Sequence, residues 1–376
     1  MLETRQTRRG AVESPPAAAA AGPQHAAPPT GLIAATGTSA PLPAGMLATP
    51  RRKTLALVLT VLLAALIGVL GIGARYLLFG AGGEASALPP LALPGQTAPL
   101  RFVFAINGVQ RPLGVAVAAA GDRLYVTESD GERQLKIFDR DGNLLRAVAP
   151  PETATAGRAP VYVAAHRAGK VYVTDRTRGT VDVYSRDGDY EGELEPPAEI
   201  GRPWAPLGIA VSPEGDIALT EVTKGRHRVL LLRPDGTLRL SFGQEGSGVG
   251  ELNYPNAIAF DRAGRIFVAD SNNGRVAAFD GEGRPLWAFS RGSSGTLALP
   301  RGLAIDRENR LYVVDAVSHN VLGFALGAQS AQPVFTLGTL GQDNGQFTFP
   351  NGLAVDGTGR IYVADRENHR VQVWTN

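Results

Sequence analysis

Six acidic residues recur along the chain, each closing a short run of β-branched and aromatic residues: Glu128, Asp175, Glu221, Asp270, Asp315 and Asp365. Carboxylates in such number could bind a cation or share a proton. A reaction, however, needs one constellation, whereas a fold reuses one turn many times. The recurrence points to side chains that accept backbone N–H groups in their own repeated turn, with Arg228, Arg275 and Arg370 as ion-pair partners. His227, His319 and His369 also share one equivalent place. Imidazoles can ligate metal or carry protons, but equivalent places in separate repeats do not converge as a zinc site requires. The chain has no cysteine and no Gly-x-Ser-x-Gly, His-Glu-x-x-His or P-loop pattern. No catalytic residue, metal or cofactor is expected from these residues.

The positions that vary carry more information. A proline recurs at Pro112, Pro160, Pro206, Pro255, Pro300 and Pro350. The residue after it is Leu113, Val161, Leu207, Asn256, Arg301 or Asn351. Three consecutive repeats thus present Asn, Arg and Asn, and Trp204, Tyr254 and Phe349 lie just before this point. Polar groups beside aromatics at a concave mouth are the usual form of a binding site. The expected ligand-binding residues are therefore Asn256, Arg301, Asn351, Trp204 and Tyr254, with the Arg301 guanidinium suited to an anionic or polar group. The alternative is that the aromatics pack between repeats.

The elements that must hold these residues follow from the spacing. Successive template prolines are 48, 46, 49, 45 and 50 residues apart. Each copy divides into four short alternating strands: a (as in GLAVD), b (RIYVAD), c (RVQVW) and d (LRLSFG). Between a and b stands Gly121, Gly169, Gly215, Gly264, Asn309 or Gly359, the residues that accept a positive φ in a tight hairpin. Between c and d stand Asp141-Gly142, Asp187-Gly188 and Asp235-Gly236. Four antiparallel strands in each of six repeats of this length describe a six-bladed, all-β propeller. The last copy stops after strand c, and a spare strand, RFVFAI (101–106), precedes the first proline. It is expected to complete the last blade and close the ring, because an open propeller exposes strand edges.

Asn368-His369-Arg370 after IYVAD resembles the motif that names the NHL repeat family, and FGQEGSGVGELNYPNAIAFD (242–261) is similar to that family's glycine-rich link between blades. The resemblance covers 100–376 and implies a six-bladed propeller; a membrane-anchored bacterial type is expected from the apolar segment described below and from the Ala/Arg/Gly/Pro bias of the chain. It implies no single activity, since such propellers include protein-binding, RNA-binding, receptor and enzymatic members.

Ahead of the repeats the composition changes. Residues 1–53 are rich in Ala, Pro and Gly and read as a disordered tail. Thr54 to Ala74 carries no charge, within a segment, 54–79, long enough for a transmembrane helix. Arg51, Arg52 and Lys53 precede it and only Arg75 follows, which places the N-terminus in the cytoplasm. A cleaved signal peptide ending near Ala87 is the alternative. Residues 80–99 read as a Gly/Pro linker. The net charge of +2 is concentrated at the N-terminus, and the remainder after Arg75 carries −3, which argues against nucleic acid. The sequence thus leads to a single-pass cell-membrane protein whose extracytoplasmic propeller binds a protein or small polar ligand. The alternative is a lactonase- or lyase-like enzyme working at the channel mouth.

Overall fold

A computed structural model describes residues 100–292 and 295–375. The tail, the expected membrane segment 54–79 and the linker lie outside the described residues. Among the described residues no helix is long and apolar enough to cross a membrane.

Six four-stranded antiparallel sheets follow one another in chain order, as the repeat spacing predicts. The first is Pro112–Val117, Arg123–Glu128, Leu135–Asp139 and Leu144–Val148. The fourth is Pro255–Phe260, Ile266–Asp270, Arg275–Phe279 and Pro285–Phe289. Strands b and c are buried almost throughout, while strands d are half exposed, so each sheet runs from an apolar interior to a wet rim. All six expected a–b hairpin residues have positive φ, from 62° at Asn309 to 100° at Gly215. Gly142, Gly188 and Gly236 do the same between c and d. These local choices set where every strand starts and which face its side chains take.

Two faces result. The proline face carries the starts of strands a and the b–c turns, and the hairpin face carries the a–b and c–d turns. Large side chains from facing sheets, among them Tyr125, Tyr184, Phe267 and Phe324, fill the wedges between blades.

The sixth sheet is built from both ends of the propeller. Its strands run in the order Leu353–Val355, Ile361–Asp365, Arg370–Thr375 and Arg101–Ile106. Arg101 pairs with Thr375 and Ile106 with Val371, with one bulge between Phe102 and Phe104. Phe102 packs edge-on against Trp374 at 5.5 Å. The chain therefore enters the ring at Arg101 on the hairpin face and reaches the proline face at Ile106.

Deleting residues 100–106 is expected to lower the melting temperature of the whole ring and to promote self-association, because it bares an apolar strand edge. Trp374→Ala should cost about 3–5 kcal/mol in urea unfolding, the usual range for emptying a buried aromatic site.

Candidate functional site

The six acids at the ends of strands b are structural, and the structure refines how. Each is at most 1% exposed. Asp175 and Asp315 do accept N–H groups from their own b–c turns, those of Thr177 and Arg178 and of Val317 and Ser318. More general is a bond to the segment that leads into strand a of the same blade. Glu128 accepts from Gln110 N, Asp175 from Ala159 N, Asp270 from Asn253 N, Asp315 from Ala298 N and Asp365 from Thr348 N, at 2.6–2.9 Å. The expected arginine partners are present: Arg228 with Glu221, Arg275 with Asp270 and Arg370 with Asp365, at 2.7–2.9 Å. Lys136 does the same for Glu128 at 2.7 Å. Asp270 and Asp365 each combine several donors with one arginine, which meets the condition for keeping a charge away from water, whereas among the described residues Glu221 is held by Arg228 alone.

The histidines sit in the b–c turns and reach the following blade. The Nδ1 atom of His227 accepts from Tyr254 N at 3.1 Å, that of His319 from Phe349 N at 3.0 Å, and that of His369 from Arg111 N at 3.3 Å. Each donor is the residue just before the next blade's template proline, held at a φ between 46° and 53°. His227 and His319 also pack edge-on against the Tyr254 and Phe349 rings. They are latches between neighbouring blades. Among the described residues no three His, Asp or Glu side chains group as a metal site.

At the proline-face mouth the expected binding residues divide into two sets. Asn256 and Asn351 are buried, at 1% and 4% exposure. The Asn256 amide donates to Tyr254 O and Ser271 Oγ, and that of Asn351 donates to Leu113 O on the next blade. Trp204 is also buried and belongs to the packing between blades, as the alternative reading of the aromatics had it. Arg301 and Tyr254 are partly exposed.

The residue that organises this mouth is Tyr162, which the sequence reading passed over. Its hydroxyl crosses the axis from the second blade and donates to the Arg301 carbonyl oxygen at 2.8 Å, with Asn256 Oδ1 at 3.4 Å. Arg301 Nη1 reaches the same Asn256 oxygen at 3.4 Å. The signal was available. Two residues after the template proline stand Gly114, Tyr162, Gly208, Ala257, Gly302 and Gly352. At Gly208, Gly302 and Gly352 an added Cβ would lie 2.0–2.5 Å from a carbonyl oxygen of the next blade. One bulky residue in that series must send its side chain elsewhere, and the axis is the space open to it.

Beyond Tyr162 lies an open patch. Phe349 is 44% and Val317 49% exposed. Arg111 pairs with Glu367 at 2.6 Å, and Arg366 meets the same carboxylate at 3.4 Å. Burial, then repulsion from Arg111 and Arg301, holds the Arg366 guanidinium below its ordinary pKa, and Glu367 offsets this in part. Two arginines thus pair with one glutamate, and Arg301 stands near enough to repel Arg366.

The molecule is a six-bladed β-propeller, and comparison with known proteins finds a match for two of its repeats. The NHL repeat profile matches residues 252–279 and 347–374, strands a to c of the fourth and sixth blades. The chain is 54% identical over 44 residues to Protein lin-41 of Caenorhabditis elegans, a match covering 12% of this chain and 4% of that protein. It is 35% identical over 54 residues to NHL repeat-containing protein 3 of Homo sapiens, covering 14% of this chain and 16% of that one. The matches therefore span a small part of either relative. Among solved structures, virginiamycin B lyase from Staphylococcus aureus superposes with a TM-score of 0.52 at 17% identity, over 74% of this chain and 99% of that one. The nidogen/laminin complex gives 0.50 at 18% identity, over 61% of this chain and 80% of that one. At these identities the likeness is one of fold. Two of the six blades match the NHL repeat profile, and the ring that carries them is six-bladed.

Burial pushes the Tyr162 phenol from 10.0 up to about 12, against the pull of Arg301 and Asn351. Below pH 10 it is neutral in both states. From pH 10 to 12 the unfolded chain loses this proton while the folded chain keeps it, so stability falls as pH rises through that window. In urea unfolding, Tyr162→Phe should therefore lose about 1 kcal/mol less than the parent between pH 9 and pH 11.

Proposed function

We propose that this propeller is a protein-binding module, held outside the cytoplasm by segment 54–79, whose proline face receives an acidic partner surface. The observation that carries the reading is the closed mouth. Tyr162, Asn256 and Arg301 hold one another across the axis, so at the axis this face offers a surface in place of an open channel. An enzyme working at this mouth would have to use side chains that already hold one another.

The patch has the composition of an interface centre. Exposed Phe349 and Val317 supply apolar area, and Arg111, Arg301 and Arg366 supply donors in excess of the one acid, Glu367. Arginine and aromatic side chains are enriched where protein partners gain most of their affinity. The tether suits this use. Arg101, the first residue of the closing strand, lies on the opposite face from this patch.

Two measurements test the proposal. A photo-crosslinking amino acid at position 349 should capture a discrete partner in whole cells, and Arg366→Glu in the same chain should abolish the adduct. The same probe at Leu144, on an outer strand, should capture nothing. Equal capture from both positions, or capture that survives Arg366→Glu, would place recognition elsewhere. Arg301→Ala should weaken the captured complex by about 1.5–3 kcal/mol, the scale of a charged hydrogen bond. Because the chain has no cysteine, single substitutions report topology directly. A membrane-impermeant maleimide should label Ser330→Cys in intact cells and leave Ser39→Cys unlabelled; the reverse pattern would invert the orientation.

A further inference from the structure

The opposite end of the axis is built differently. The channel has a volume of about 400 Å³. Apolar side chains form most of its wall, with Val163, Ile209, Ile258 and Leu303 among the buried ones. Tyr162 forms its floor and closes it toward the proline face. It opens on the hairpin face into a wider mouth of about 370 Å³ that shares Val117, Ala119, Pro213, Phe260, Ile305 and Val355 with it. The result is a blind pocket with one opening.

Arginines stand at that opening. The second residue of the a–b turn is Arg167, Arg262 and Arg307 in the second, fourth and fifth blades. Arg167 lines the channel, and Arg262 and Arg307 line the mouth. All three are exposed. The Arg307 guanidinium lies over Gly357 of the sixth blade, where an added Cβ would come within 2.4 Å of Nη2. Most of the carboxylates beside them are held by other groups. Asp261 holds its turn and pairs with Arg265 at 2.7 Å, and Asp306 pairs with Arg310 at 2.6 Å. Asp356 accepts from Thr358, Arg360 N and the Tyr362 hydroxyl. Glu308 lies 3.6 Å from Arg310, and Glu214 is exposed on the third blade's turn. None of the three arginines has an ion-pair or hydrogen-bond partner among the described residues.

We infer that this pocket binds a small anion, a phosphate or carboxylate monoester-sized molecule whose apolar part enters the channel and whose charged head meets Arg167, Arg262 and Arg307. A pocket of this volume suits a small ligand. A guanidinium presents a planar fork of donors matched to phosphate or carboxylate. Low-dielectric walls behind the rim strengthen the field of its charges at the opening. The site is independent of the proline face, and its occupant is a free small molecule.

The test is a thermal-shift and calorimetric titration of the full chain in dodecylmaltoside micelles, with butyl phosphate and inorganic phosphate as probes. Butyl phosphate should bind more tightly than inorganic phosphate. Its affinity should fall by about tenfold or more in Arg262→Gln/Arg307→Gln, as expected for losing charged hydrogen bonds. Arg301→Gln, at the other face, should leave it unchanged. Because the substituted side chains are exposed and unpaired, the unliganded melting temperature of the double variant should match the parent. No binding of butyl phosphate, binding unaffected by the double variant, or equal binding of both probes would overturn the inference. So would protection that comes only from micelles doped with phosphatidylglycerol, which would make the rim a contact for lipid headgroups.

Discussion

The pairing of Arg101–Ile106 with Arg370–Thr375 is the interaction on which the rest of the structure depends. Six twisted sheets around an axis leave one junction between first and last, and a chain without cysteine must close it by hydrogen bonds and packing alone. The bulge beside Phe102 and the edge-on contact with Trp374 fix the register there. Once the ring is closed, every blade has two neighbours. The buried acids can then bind the incoming segments, and the histidine latches can meet their donors on the following blade. The same closure forces the innermost strands so close together that glycine is required where one backbone passes another.

That crowding divides the axis into two unlike ends. Where Gly114, Gly208, Gly302 and Gly352 let backbones approach, no side chain is available to fill the centre. Tyr162, at the same repeat position, fills it alone. One substitution in a repeated pattern thus turns a through-channel into a surface on one face and a blind pocket on the other. The loops then give each end its chemistry, arginines with Phe349 and Val317 at one, arginines around an apolar well at the other.

The fold was legible because its determinants are local. A positive-φ residue between strands, a proline at the start of strand a and an acid at the end of strand b each act within a few residues, and six copies average out the degeneracy of any one. The closing strand was legible by counting, since the last copy lacked a fourth strand and a spare one stood at the front. The site was less legible, because burial at the axis is set by what arrives from other blades. Asn256 and Asn351 occupy the expected positions, yet Ser271, the Tyr254 carbonyl and the Leu113 carbonyl use their amides. The histidines show the same limit: their place in the turn was readable, but their partners lie one blade on. The membrane segment rests on sequence alone.

The composite sixth blade also dictates the order in which the molecule can be made. Its outermost strand is the first part of the propeller to leave the ribosome, and the strand it pairs with, ending at Thr375, is the last. Early blades can form as local meanders while the chain is still growing. The ring cannot shut until Arg370–Thr375 has been made, so an arc with two bare edges precedes the closed ring. Contacts between such distant segments carry a large loop-closure cost and form slowly. Until then the nascent arc is open to capture by chaperones, proteases or a second copy.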